Sequence, residues 1–287
     1  MLKLNDGNEI PLVGLGTFQL RNNLAPDTVL KTLDVALQTG YRLIDTASCY
    51  RNEKDIGEAL TSCLYEKHSL SRKDLFITSK LAPKEMGYNS TIATCKKTLN
   101  ELQTDYLDLY LIHWPGKNKL KSDDEMHKEY RKETWRAFQD LKEQGFVKSI
   151  GVSNFTMDHL TELMEFSNTK PVVNQVEFHP VLYQKELLNF CQQNNIFLQA
   201  YSSLGTGQLL NNEIVSEVAD MKNCTNAQIL LKWATQQSVG VLPKSTKAEH
   251  IRSNFYLSSI HLDPQDMEKL SALHCGTHYC WDPNKIK

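Results

Sequence analysis

Leu107-Asp-Leu-Tyr-Leu-Ile-His113 is a short apolar run that ends in a histidine, and Trp114-Pro115 breaks it. A run of this length bounded by a turn signal reads as a buried strand. Beyond it, Glu129–Gln144 carries helical periodicity, and Val147–Ser153 is a second strand-like run. Strand, helix, strand within the 47 residues from Leu107 to Ser153 is the unit that builds a parallel sheet. The same alternation continues in both directions. Strands are expected at Pro11–Gly16, Tyr41–Thr46, Leu75–Leu81, Val172–Phe178, Ile196–Tyr201 and Gly240–Pro243. Helices are expected at Asp27–Thr39, Glu53–Tyr65, Ser90–Leu102, Met157–Phe166, Gln184–Asn194, Thr225–Gln237 and Lys247–Phe255. Asn5-Asp6-Gly7 is a tight-turn sequence and predicts an N-terminal hairpin. Eight strands alternating with eight helices predict an α/β fold, a closed (β/α)8 barrel rather than an open doubly wound sheet. Residues 1–287 then form a single domain, with a short tail over the rim.

Composition fits that reading. The chain has 287 residues, 40% hydrophobic and 23% charged, with 32 Lys+Arg against 34 Asp+Glu. The balance argues against a nucleic-acid or anionic-membrane surface built from bulk charge. No stretch approaches the ~18 apolar residues of a membrane helix, and Met1–Asn8 has no secretory signal core. Seven cysteines without CxxC spacing predict neither a disulfide framework nor a zinc site. A soluble cytoplasmic protein without metal, nucleic-acid or membrane partners is expected.

Chemistry in such a barrel sits where strands hand over to loops at their C-terminal ends. Those ends supply Asp45 with Tyr50 just beyond, Lys80, His113 and Trp114, Ser153-Asn154, Gln175, Tyr201-Ser202 and Lys244-Ser245. Singly, each has a bland explanation as a solvated loop residue or half of a surface pair. Together they share one rim. A lysine ammonium beside Tyr50 is expected to lower the phenol's pKa and make it a useful general acid. Asp45 would neutralise Lys80, and neutral His113 would orient a substrate oxygen. Proton delivery to oxygen suits reduction of a carbonyl, for which a nicotinamide cofactor must bring the hydride. Ser153, Asn154 and Gln175 can bind a carboxamide, Tyr201 can stack on a nicotinamide ring, and Lys244-Ser245 at a helix start can hold a phosphate. Gly14-Leu-Gly16-Thr-Phe-Gln19 begins like a dinucleotide fingerprint but lacks the third glycine and the acidic strand end, so no Rossmann unit is expected. Cys49, beside Tyr50, is expected to be a buried small hydrophobe.

The same stretches resemble the aldo-keto reductases along essentially the whole chain. They are Gly14–Thr17, Tyr41–Ala47 with Tyr50 and Asn52-Glu53, Ile77–Lys80, Asp105–Pro115, Ile150–Phe155, Asn174–Pro180 and Leu242–Ser245. The resemblance implies a monomeric barrel that binds NADPH, with Asp45, Tyr50, Lys80 and His113 as a catalytic tetrad and Tyr50 as proton donor. It implies cofactor contacts from Thr17, Phe18, Asp45, Ser153, Asn154, Gln175, Tyr201, Ser202, Leu204, Lys244, Ser245, Thr246, His250 and Asn254. It also implies a substrate pocket at Phe18, Tyr50, His113 and Trp114, with Trp281 either a pocket wall or a packing residue of the tail. Phe18 stands where many members have Trp. His250 stands where many have Arg and Ser253 where many have Glu, which predicts weaker discrimination of NADPH from NADH. The short tail resembles the broad-specificity branch, whose members reduce glyoxals, quinones or the prostaglandin H2 endoperoxide. A crystallin-type relative that keeps the barrel for bulk is the alternative. A lyase forming a Schiff base on Lys80 is a third reading, one in which Tyr50→Phe would keep most activity.

Overall fold

A computed structural model describes residues 1–22 and 25–287. The chain opens with the expected hairpin, β1 (Leu2–Lys3) antiparallel to β2 (Glu9–Ile10). The Leu4 amide donates to the Asn8 carbonyl at 2.8 Å, and Gly7 supplies the positive φ of +89° that the turn needs. Eight parallel strands follow: β3 (Leu15–Gly16), β4 (Leu43–Asp45), β5 (Phe76–Leu81), β6 (Leu107–Ile112), β7 (Val147–Ser153), β8 (Val173–Glu177), β9 (Phe197–Tyr201) and β10 (Gly240–Val241). Each pairs with the next in chain order. A parallel bridge from Val13 to Val241 closes the ring, reinforced by Gly14 N–H to Val241 O at 2.9 Å and Gly16 N–H to Pro243 O at 3.0 Å. Closure explains Gly16: a Cβ there would lie 2.7 Å from the Leu242 carbonyl oxygen. The result is the (β/α)8 barrel that the alternation predicts.

The helices are α1 (Thr28–Thr39), α2 (Glu53–Ala59), α3 (Tyr65–Lys67), α4 (Tyr88–Leu102), α5 (Met126–Glu143), α6 (Met157–Phe166), α7 (Lys185–Gln193), α8 (Glu213–Lys222), α9 (Asn226–Thr235), α10 (Ala248–Phe255) and α11 (Pro264–Ser271). The stretch expected as one helix over Glu53–Tyr65 is interrupted by a wider π turn at Leu60–Leu64. Two helices lie outside the strand–helix alternation, α8 and α11. Both carry local start signals. The Asn212 side chain accepts from the Val215 amide, and Asp263 precedes Pro264 and accepts from the Gln265 and Asp266 amides.

Strand parity sorts the side chains. Ile44, Ile77, Tyr110, Ile112, Val152 and Val176 join the large core between barrel and helices. Leu43, Phe76, Leu109, Leu111 and Val173 form a second core with Leu4 and Ile10 of the hairpin segment, which plugs the N-terminal mouth. Asp45, Lys80 and Gln175 share the parity of that inner set. They therefore face inward at the opposite end, above an apolar plug. Among the described residues no helix is long and apolar enough to cross a membrane.

Candidate active site

Lys80 is the anchor. It lies at 0% exposure, and its ammonium donates to Asp45 Oδ1 at 2.5 Å, to the Thr46 carbonyl at 2.9 Å and to the Tyr50 hydroxyl at 3.4 Å. An ammonium removed from water is tolerated only when paired and hydrogen-bonded. Asp45 meets that need, and its other oxygen accepts from Gln175 Nε2 at 2.8 Å. Tyr50 ends a tight turn at Ser48–Tyr50. Its ring lies edge-on to Phe18 at 5.1 Å and to His113 at 5.8 Å. The four residues that the sequence brings to one rim thus meet there.

Two sequence-based expectations are corrected. The first is that Lys80 acidifies the phenol. Burial, with the negative charge of Asp45 beside it, instead holds the Tyr50 hydroxyl well above the ordinary tyrosine value, because the ammonium's charge is matched by Asp45 at the shorter distance. At neutral pH the phenol is therefore fully loaded with its proton. The ammonium's contribution lies in stabilising the phenolate as it forms. The second is that Cys49 is buried. It is exposed at the rim, with Sγ 3.5 Å from His113 Nδ1. Although the side chain reaches the surface, the protein packed around it partly desolvates the sulfur and pushes its pKa up, so the thiol keeps its hydrogen and can donate it to Nδ1. That pairing favours the His113 tautomer with hydrogen on Nε2. Burial, then the like charge of Lys80, holds His113 well below the ordinary histidine value, so the ring is neutral.

The polar residues on the facing arc bond to one another. Ser153 Oγ donates to the Gln175 carbonyl at 2.7 Å, and Asn154 Nδ2 donates to the His113 carbonyl at 2.8 Å. The Tyr201 hydroxyl donates to Asn154 Oδ1 at 2.7 Å. Thr17 donates its amide and hydroxyl to the Asp45 carbonyl, at 3.0 and 2.8 Å. Ser202 and Leu204 are half-buried just beyond β9, and Lys244, Thr246 and His250 are exposed around the start of α10, with Ser245 half-buried. No ion pair engages Lys244, Lys247 or Arg252 among the described residues, while His250 has Glu249 at 3.6 Å. Asn254 is buried with its Oδ1 unpartnered. A buried acceptor without a donor, with the uncommitted Lys244 and Lys247 at the start of α10 and Arg252 in its last turn, fits an amino-bearing, phosphate-bearing cofactor. Among the described residues no group of three or more His, Cys, Asp or Glu could hold a metal.

The tail crosses this rim, held by a carboxylate that sequence reasoning leaves without a role. Glu177 accepts from the Tyr279 amide at 2.8 Å, the Cys280 amide at 3.2 Å and His179 Nε2 at 3.0 Å. Burial alone would raise its pKa, but these donors outweigh it and hold the carboxyl below the usual range. Further along, Arg131 Nη1 donates to the Lys287 carbonyl at 2.8 Å, and His159 Nε2 lies 3.0 Å from the Ile286 carbonyl. Trp281 does not pack the tail onto the barrel. It is 82% exposed, its ring 6.2 Å from that of Trp114.

A closed barrel whose strand ends gather a buried ion pair, a phenol and a neutral imidazole defines a barrel enzyme with an acid–base site. The sequence model of the aldo/keto reductase family matches residues 12–274. The glyoxal reductase of Bacillus subtilis (strain 168) is 42% identical over 285 residues, covering 99% of this chain and 96% of its own length. Aldose reductase C of Dictyostelium discoideum is 38% identical, covering 97% of this chain and 90% of its own. An aldo-keto reductase from a Medee basin deep-sea metagenome library superimposes with a TM-score of 0.88 at 37% identity, covering 100% of this chain and 99% of its own. The chain belongs to the aldo/keto reductase family. It is an oxidoreductase of a family that reduces carbonyl groups with a nicotinamide cofactor.

Proposed function

We propose that this enzyme reduces aldehydes and activated ketones to alcohols with NADPH, taking the proton from Tyr50. The observation that carries the reading is the contact of the Lys80 ammonium with both Asp45 and the Tyr50 hydroxyl, 2.5 and 3.4 Å away, on the rim that also holds His113. When bound, the nicotinamide supplies hydride to the carbonyl carbon. Tyr50 gives its proton to the carbonyl oxygen, and Lys80 stabilises the phenolate left behind. Asp45 holds Lys80 in place through their ion pair. His113, neutral, donates from Nε2 to the same oxygen and fixes its orientation. Phe18 and Trp281, 56% and 82% exposed, and Trp114 offer apolar walls that shed water on substrate entry.

Ser153, Asn154 and Gln175 would hold the carboxamide, with Asn154 and Tyr201 exchanging their mutual hydrogen bond for contacts with the ring. Thr17 would lie near the nicotinamide, Ser202, Leu204, Lys244, Ser245 and Thr246 would line the diphosphate and the 2′-phosphate, and His250 would lie beside the adenine end. Asn254 Oδ1 would accept from the adenine amino group. Lys244 and Lys247 support NADPH over NADH; His250, which lacks the permanent charge and bidentate fork of an arginine, tempers that preference. The open rim and the glyoxal reductase relative favour small α-dicarbonyls as substrates, with quinones and the prostaglandin H2 endoperoxide as further candidates. The test is a panel of methylglyoxal, an aromatic aldehyde, 9,10-phenanthrenequinone and prostaglandin H2, each run with NADPH and with NADH. Consumption of NADPH with at least one carbonyl is expected. No consumption with any of them would favour a barrel retained for bulk.

A further inference from the structure

We propose that Asn52 is the positioning residue that sets Tyr50 against Lys80. The inference rests on the reading of Tyr50 as proton donor. Asn52 occupies the N-cap position of α2, where an asparagine side chain ordinarily accepts from the helix's first free amides. Here it makes no such bond. Its Oδ1 instead accepts from Thr46 Oγ1 at 2.8 Å, and its Nδ2 donates to the Thr17 and Leu20 carbonyls, each at 2.9 Å. The side chain is 1% exposed, and these three bonds satisfy both of its hydrogens and its oxygen.

Each partner touches the site. Thr46 and Asn52 are the two ends of the loop that carries Tyr50, so the Oδ1 bond closes that loop at its base. The Thr46 carbonyl also receives Lys80. Thr17 bonds the Asp45 carbonyl through its amide and hydroxyl. Between Thr17 and Leu20 lies Phe18, edge-on to Tyr50. Arg21, next in the chain, donates from Nε to the Tyr50 carbonyl at 3.0 Å. One buried amide therefore ties the proton-donor loop, the end of the Asp45 strand and the aromatic wall into a single block. The 3.4 Å reach from Lys80 to the phenol depends on that block.

Freed of it, the Tyr50 turn can move by a fraction of an ångström, and misplacement on the scale of 1 Å costs on the order of 100-fold in rate. Asn52→Ala is expected to lower kcat roughly 10- to 100-fold, with KM and the NADPH Kd from fluorescence quenching nearly unchanged. In the alcohol-oxidising direction, where the phenolate must act as base, the apparent pKa of the rate profile should rise as the phenol loses Lys80. Thr46→Val removes one arm without changing shape, and it decides the matter if Asn52→Ala does not fold; a smaller loss of kcat in the same direction is expected. A lowered Tm with kcat and pH profile unchanged in either variant would make Asn52 a structural staple and overturn the proposal. Tyr50→Phe separates the two levels. If it keeps its turnover, the reading of Tyr50 fails. If it is inactive while Asn52→Ala turns over normally, only the positioning role fails.

Discussion

Asp45→Asn tests the electrostatic logic of the site through stability as well as activity. The carboxylate accepts from Lys80 at 2.5 Å and from Gln175 at 2.8 Å, and Lys80 has no exposed surface through which water could replace it. Asparagine keeps the shape but offers one acceptor in place of two, and its amide must face the Lys80 ammonium or Gln175 Nε2, both donors. Removing one partner of a buried pair costs about 3–5 kcal/mol, because an uncompensated charge remains. For a chain of this size that lowers Tm by on the order of 6–20 °C, read by scanning calorimetry. Replacing both partners, as Asp45→Asn with Lys80→Met, removes the stranded charge and should recover much of the loss. A Tm within about 2 °C of the parent for Asp45→Asn, well short of that range, would refute the claim that Lys80 depends on Asp45. So would a double variant no more stable than the single one.

Glu53 gives a pH signature of opposite origin. It is buried against the Ser79 and Thr98 hydroxyls at 2.6 and 3.1 Å, and burial raises its pKa from 4.5 to about 7. The folded chain holds that proton more tightly than the unfolded chain. The group's stabilising contribution is full below about pH 4.5 and is lost as pH rises through 7, a loss on the order of 3 kcal/mol. Glu53→Gln should match the parent in urea unfolding at pH 4.5 and exceed it at pH 8; equal midpoints at both would contradict the assignment. His250→Arg should tighten NADPH roughly three- to tenfold through a charge-assisted bond while leaving NADH unchanged, and an unaltered NADPH Kd would remove His250 from the phosphate site. Cys49→Ala should raise KM a few-fold by releasing the His113 tautomer, with Cys49→Ser, which keeps a donor, close to the parent; identical kinetics for all three would sever Cys49 from His113.

The barrel is legible because strand–helix alternation repeats eight times, and Leu107–Ile112 and Val147–Ser153 emerge as strands with nearly the expected ends. Helices α8 and α11 escape because they follow another helix or a loop, although Asn212 and Asp263-Pro264 announce them locally. The gathering of Asp45, Tyr50, Lys80 and His113 follows from topology alone, since every strand C-terminus points to one rim. The balance of charge within that group does not follow, because it turns on a 2.5 Å contact against a 3.4 Å one. For the same reason the sequence marks Asn52 and Glu177 as parts of matching stretches without showing what they hold. A side chain that bonds backbone carbonyls or amides of distant loops leaves no periodic trace.

The most direct measurement is single-turnover reduction by Tyr50→Phe, alongside NADPH titration of the same variant. Loss of general-acid catalysis removes at least ~100-fold of the rate, while Kd for NADPH should stay within about twofold, because the Tyr50 hydroxyl is not among the proposed cofactor contacts. A variant that binds NADPH normally and reduces a good aldehyde within a few-fold of the parent rate would show that the proton comes from elsewhere.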